Sequence, residues 1–218
     1  MGGLSFFEYL KTFRSQLIFD TEQHLLLSVY VIACAAALGL VIAILVYRSD
    51  FASTAAVSTS SVMFTLPSIA LFGLMIPITG LGLQTAFPIL VLYALLPIIR
   101  NAVVGLQGVD ADMIDAARGL GMARSRILLQ IELPIAWPVI LTGIRVAAQL
   151  TVGIVVIAAY VRGPGLGEGI LHALSALGSV NTFNEAVAGT ILVILLALVL
   201  DLAFVLIRKF TTPRGLRD

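Results

Sequence analysis

The chain has 218 residues, of which 60% are hydrophobic and only 11% charged, whereas soluble domains carry about 25% charged residues; a water-soluble globule is excluded. Thirteen Lys and Arg against twelve Asp and Glu leave a net charge of +1, too weak a field to gather nucleic acid or an acidic polymer. The single cysteine, Cys34, lies in an apolar stretch and makes neither an internal disulfide nor a metal cluster. What remains is an all-α polytopic membrane protein, because crossing the hydrocarbon core takes about 20 apolar residues per helix and the chain holds several such runs.

In chain order, Phe6, Leu10, Phe13 and Leu17 recur at helical spacing among Glu8, Lys11 and Arg14, which predicts an amphipathic helix in the membrane interface over Ser5 to Ile18; a loose tail is the alternative. The first span runs from Leu25 to Tyr47 without a charge and ends at Arg48 and Asp50. A second runs from Ala56 to Ile78 with Pro67 inside it and a row of hydroxyls, Ser58, Thr59, Ser60, Ser61, Thr65 and Ser68. After Gly80 and Gly82, a third reaches from Leu83 to Ile99, carries Pro88 and Pro97, and ends at Arg100 and Asn101. Between Asp110 and Glu132 lies the longest hydrophilic loop. The fourth span, Ile135 to Val161, contains Arg145 and Gln149. A glycine-rich stretch from Arg162 to Gly169 breaks any helix, and a short amphipathic piece follows over Ile170 to Leu177. The fifth span, Ala186 to Ile207, holds Asp201 and is stopped by Arg208 and Lys209.

Five spans put the termini on opposite sides. With the loop at 110–132 in the cytoplasm, Arg48, Arg100, Arg118, Arg124, Arg126, Arg208, Lys209, Arg214 and Arg217 are inside, against Lys11, Arg14 and Arg162 outside. Nine against three places the N-terminus outside and the C-terminus in the cytoplasm by the positive-inside rule. The expected layout is an external tail with its interfacial helix over 1–24, one transmembrane domain over 25–210 that includes the cytoplasmic loop 108–134, and a cytoplasmic tail over 211–218.

The loop reads Asp115-Ala116-Ala117-Arg118-Gly119-Leu120-Gly121 and closes with Ile131-Glu132-Leu133-Pro134. This resembles the EAA loop of bacterial ABC importer permeases, with Asp115 standing where Glu is usual. Read physically, Ala116 and Ala117 let a short helix approach another surface closely, and Gly121 permits a sharp reversal into a second helix over Ala123 to Gln130. Pro134 would then open the next span, where a missing N–H costs nothing. Arg118, Arg124 and Arg126 would project toward acids on a partner. Leu66-Pro67-Ser68-Ile69-Ala70, the run from Tyr93 to Asn101, Gly105-Leu106, Gly143-Ile144-Arg145 and Gly163-Pro164-Gly165-Leu166-Gly167 look like segments of permeases for glycine betaine, choline, carnitine or proline betaine. Methionine-type permeases are also similar.

The resemblance implies a type I ABC importer permease fold of about five spans. It implies a separate cytoplasmic ATPase that holds ATP and Mg, a second permease subunit (the same chain or a sister), and an extracytoplasmic substrate-binding protein. No G-x-x-x-x-G-K-[ST] phosphate loop occurs in the sequence, so no cofactor is expected on this chain. A secondary transporter would call for inverted repeats, and an intramembrane enzyme for a motif such as H-E-x-x-H or G-x-S-x-G; neither pattern is found. His24 and His172 have no carboxylate or Cys at ligand spacing, so no metal is expected.

Charges inside a membrane are costly and seek a partner. Arg145 and Asp201 fall at similar depth, which predicts a contact between them. Its role is either a lock between helices or part of the pathway, and the lock is favoured because a permanent cation in the path repels an ammonium group. Ser61, Thr65, Ser68, Gln149 and Thr151 are the remaining candidates for lining the pathway, with helix-to-helix glue as the alternative.

Overall fold

A computed structural model describes residues 3–176 and 178–212, and every element among them is helical. Helix α1 (Phe6–Thr12) is started by a capping box: Ser5 accepts from the Glu8 N–H, and the Glu8 carboxylate accepts from the Ser5 N–H. Phe13 departs from helical geometry, and α2 (Arg14–Val46) begins at the next residue. The expected interfacial helix over 5–18 is therefore two pieces. Its second half is the start of a 33-residue rod about 50 Å long that passes Leu25 without a break. No Gly or Pro marks the interruption at Phe13, which is why the sequence pattern runs across it.

The expected second span is sharply broken. Helices α3 (Asp50–Thr65) and α4 (Ser68–Thr79) meet at 90°. Pro67 forces Leu66 into an extended conformation, and Tyr93 Oη donates to the Leu66 carbonyl that the bend exposes. At 16 and 12 residues, roughly 24 and 18 Å, neither piece crosses alone. Among the described residues there are thus four helices long enough to span, or five spans when the bent pair is taken as one.

Helix α5 (Leu83–Gln107) is the central post, buried on all its faces along most of its length. It continues past Ile99 because Arg100 stays exposed and the Asn101 amide donates to the Pro97 carbonyl of its own helix (2.8 Å). On one side α2 packs against it through Val31, Ala35, Leu90 and Ile98. On another side it meets the fourth span at Gly143, where an added Cβ would lie 2.6 Å from Asn101 Cβ and 2.7 Å from the Pro97 oxygen. Only glycine permits that approach.

The short helix α6 (Ala111–Gly119) opens the polar loop. Helix α7 (Arg124–Ile127), a π turn (Leu128–Glu132) and α8 (Leu133–Ile157) then follow without a gap, forming one rod of 38 residues with the 3₁₀ turn Ala158–Val161. The second loop helix expected over Ala123 to Gln130 is therefore the foot of the fourth span, and Pro134 lies within the rod instead of opening it. The reason is local. Pro134 has no N–H, and the Leu133 N–H reaches five residues back to the Leu128 carbonyl, so a π turn absorbs the missing bond.

Past the glycine-rich stretch come α9 (Gly167–Ser175) and α10 (Thr182–Thr211). The short amphipathic piece thus begins three residues earlier than expected, and its last residue, Leu177, lies outside the described residues. Helix α10 packs mainly along α8 and α9, with only Thr182, Ala188, Gly189 and Leu196 buried. The tail from Pro213 on, including Arg214 and Arg217, also lies outside the described residues.

Candidate functional site

Two polar constructions stand out, one at the foot of the bundle and one within the spans. At the foot, Asp110 caps α6 by accepting from the Asp112 N–H (2.9 Å). Asp115 and Arg118 pair on its surface at 2.8 Å, both well exposed, so Arg118 is partly committed within its own helix and the pair adds little stability. Ala116 is exposed and Ala117 buried. The helix ends in a Schellman motif, with the Met122 N–H on the Ala117 carbonyl and the Gly121 N–H on the Arg118 carbonyl. This needs the left-handed conformation that Gly121 supplies at φ 78°. Arg124 and Arg126 are exposed on α7. Of the closing motif, Leu133 seats against the lower core around Tyr47, Ile99 and Leu106, Ile131 is half-buried and Pro134 exposed.

The residue between Ile131 and Leu133 is the one that sequence reasoning passed over. Glu132 is 2% exposed. Its Oε2 accepts from the Tyr47 hydroxyl (2.7 Å) and from Arg48 Nη2 (3.1 Å), while Arg48 Nε donates to the same hydroxyl oxygen (2.6 Å). Gln107 at the end of α5 adds a bond to the Tyr47 carbonyl (2.8 Å). This latch ties the loop's exit to the lower ends of α2 and α5, over a cleft of about 740 Å³ that Arg118 and Arg124 also line. A carboxylate flanked by two apolar residues was the available signal. Arg48 reads in sequence only as the charge that ends a span.

Within the spans, Arg145 and Asp201 form a two-pronged pair, Nε to Oδ1 at 2.6 Å and Nη2 to Oδ2 at 2.7 Å, and Gln149 Nε2 donates to the same Oδ1 (2.6 Å). The geometry is that of the strongest carboxylate recognition by arginine. It joins α8 to α10 and leaves both side chains about one-third exposed on the flank of the bundle. Trp137 Nε1 to Thr211 Oγ1 (2.9 Å) makes a second tie between these helices near the foot. The hydroxyl candidates behave differently. Ser61 donates to Val57, Thr65 to Val62 and Thr151 to Ala147, each a carbonyl of its own helix. Ser68 begins α4 without a side-chain cap. None of these hydroxyls bonds to Arg145, Gln149 or Asp201.

The histidines serve packing and surface pairing. His24 is fully buried and its Nε2 meets the Val152 carbonyl at 3.0 Å, joining α2 to α8; His172 Nδ1 lies 2.9 Å from Glu185. Among the described residues no three ligating side chains gather to hold a metal.

A bundle of long apolar helices around α5, with a helical knob latched to its foot and an ion pair between its spans, is the architecture of a polytopic membrane subunit. Residues 14–213 match the family described as the binding-protein-dependent transport system inner membrane component, and the chain belongs to that family. It is a permease subunit of an ATP-binding cassette importer, a multi-pass inner-membrane protein that works with an ATPase and a substrate-binding partner, and not an enzyme. Among its relatives are the osmoprotectant import permease protein OsmW of Salmonella typhimurium, 35% identical over 90% of this chain and 92% of that one, and the carnitine transport permease protein OpuCB of Listeria monocytogenes, 33% identical over 93% and 91%. The fold is shared with an inward-facing structure of the MetNI methionine ABC transporter, with a TM-score of 0.78 at 21% identity over 90% of this chain and 96% of that one.

Proposed function

We propose that this permease carries a quaternary-amine osmoprotectant of the glycine betaine, carnitine, choline and proline betaine class into the cell. The observation that carries the reading is identity of about one-third, over nine-tenths of the chain, to permeases named for osmoprotectant and carnitine import. The likeness to the methionine transporter is one of fold and does not bring its substrate to this chain.

In this reading the ATPase, holding ATP and Mg, docks against α6 through Asp115, Ala116 and Ala117, with Arg118, Arg124 and Arg126 available to its acids. Closure of the ATPase on ATP pushes the knob. Gly121 keeps α6 at a fixed angle to the rod, and the buried Glu132 carries the displacement to α2 and α5. A second permease subunit, the same chain or a sister, faces this one across the path and covers part of the sparsely packed flank of α10. The N-terminus is external, where the binding protein delivers cargo, and the C-terminus cytoplasmic.

Uptake of labelled glycine betaine at raised external salt, in cells with and without the chain and lacking other betaine carriers, tests the reading. Loss on deletion, with competition by choline and carnitine and none by methionine, is expected. Unchanged uptake on deletion overturns the substrate assignment.

A further inference from the structure

At the end of the bundle opposite the knob, α1 and the start of α2 fold over α9 and the start of α10 and enclose a cavity of about 340 Å³. That volume lies at the lower end of the roughly 300–1,000 Å³ found for small-molecule sites. Its chemistry is one-sided. Tyr9 and Phe13 place two rings along one wall, with centroids 4.6 Å apart and planes tilted by 34°. Two carboxylates, Asp20 and Glu185, line the same space, both partly buried. No Lys or Arg is among the lining residues.

The partners that the acids do have leave charge over. Gln16 Nε2 donates to Asp20 Oδ1 (2.8 Å), a neutral amide that satisfies one oxygen and cancels nothing. Glu185 lies 2.9 Å from His172 Nδ1, and one histidine can match only one of the two carboxylates, so at least one negative charge is left over whatever that ring's protonation. Both fields reach the aromatic wall: after burial, Glu185 and then Asp20 are what raise the Tyr9 phenol above its ordinary value. An inorganic cation is a poor occupant, since among the described residues no group of three His, Cys, Asp or Glu side chains is placed to ligate a metal, and a hard divalent ion wants six or more oxygens. A cavity that combines aromatic faces with uncancelled negative charge and lacks a ligand cage suits a cation whose charge is spread over an apolar surface.

We propose that this cavity is a binding site for a small organic cation with a methylated ammonium head, the head against the Tyr9 and Phe13 rings and its charge balanced by Asp20 and Glu185. Neither Arg145 nor Asp201 lines it, and every group named here belongs to this chain, so the assignment does not depend on which solute the assembled transporter carries.

Equilibrium binding of labelled choline to the complete transporter in lipid nanodiscs, ATPase subunits present and binding protein absent, tests the assignment. Wild type is expected to bind in the millimolar range or tighter. Tyr9→Leu and the double variant Asp20→Asn with Glu185→Gln are each expected to weaken binding roughly tenfold, the scale of a partly desolvated cation–π contact. Tyr9→Phe, which keeps the ring, is expected to stay within about twofold, and 3,3-dimethyl-1-butanol, choline's uncharged isostere, is expected not to compete. All variants should elute as single species with the wild-type rate of ATP hydrolysis, which separates lost binding from lost folding. Absence of choline binding up to about 10 mM, survival of full binding in either weakening variant, or equal competition by the alcohol would each overturn the site. Choline binding with this pattern in a transporter that imports no quaternary amine would uphold the cavity and reject only the substrate reading above.

Discussion

Arg48→Ala is expected to cost more stability than Glu132→Gln, although Arg48 is the more exposed partner of the latch. Truncating Arg48 leaves the Glu132 carboxylate, 2% exposed, with the Tyr47 hydroxyl at 2.7 Å as its remaining donor. Breaking a buried pair this way costs about 3–5 kcal/mol. The Arg48 side chain is 40% exposed, so water reaches the vacated space and about 2–3 kcal/mol is the appropriate range. Glu132→Gln removes the charge but keeps a carbonyl oxygen for Tyr47 and releases Arg48 to solvent, for about 1 kcal/mol. The double variant buries no unpaired charge and should cost about 1–2 kcal/mol, less than Arg48→Ala alone. For a chain of this length each kcal/mol moves the midpoint by roughly 2–4 °C. The temperature at which half of the detergent-solubilised transporter loses its monodisperse peak should therefore fall by about 4–12 °C in Arg48→Ala and by about 2–4 °C in Glu132→Gln. Equal losses in the two single variants, or a double variant at the sum of both, would refute the argument that the buried carboxylate needs the arginine.

Exchanging Arg145 and Asp201 for each other should restore part of the uptake lost in either charge-reversed single variant, because the two-pronged contact can be rebuilt with the charges swapped; a double variant as inactive as the singles would remove the pair from the account. Gly121→Val forces a β-branched residue into φ 78°, costs about 1–2 kcal/mol locally, and should uncouple ATP hydrolysis from uptake while leaving chain abundance in the membrane close to wild type. At the N-terminus, the Ser5 hydroxyl and then the Ser5 N–H hold the Glu8 carboxyl below its ordinary range. The folded value is depressed, so the capping box is present above the usual Glu pKa and is lost as pH falls through the lowered one. A spin label on α1 should become mobile on that acid side in wild type, and at neutral pH already in Ser5→Ala.

The span inventory was legible because hydrocarbon imposes length, and the Arg145–Asp201 contact was legible because a charge at membrane depth has few ways to be tolerated. The Schellman turn after α6 could be read from Gly121 alone. The bend at Leu66-Pro67 was less so: the same Pro67 is compatible with a kink or a right angle, and which occurs depends on Tyr93, 27 residues away. The latch escaped notice because Arg48 and Glu132 sit at the polar ends of spans, where charges are ordinary, and are separated by 84 residues. Nothing local marks such a pair. The aromatic cavity was hidden for a similar reason, since Tyr9, Asp20 and Glu185 come together only when α10 packs beside α1.

The π turn at Leu128–Glu132 has a mechanical consequence. It lies inside one rod of 38 residues and is the point at which that rod is latched to its neighbours. From the latch at Glu132 to the tip at Arg124 is about eight residues, roughly 12 Å; from it to Arg145 is about thirteen, roughly 20 Å. The arms differ by a factor of about 1.6, so in the coupling proposed above a one-ångström nudge at the cytoplasmic tip would become a swing of about one and a half at mid-membrane. In that reading, a proline that would have stopped a helix elsewhere would instead mark the pivot between the two faces of the membrane.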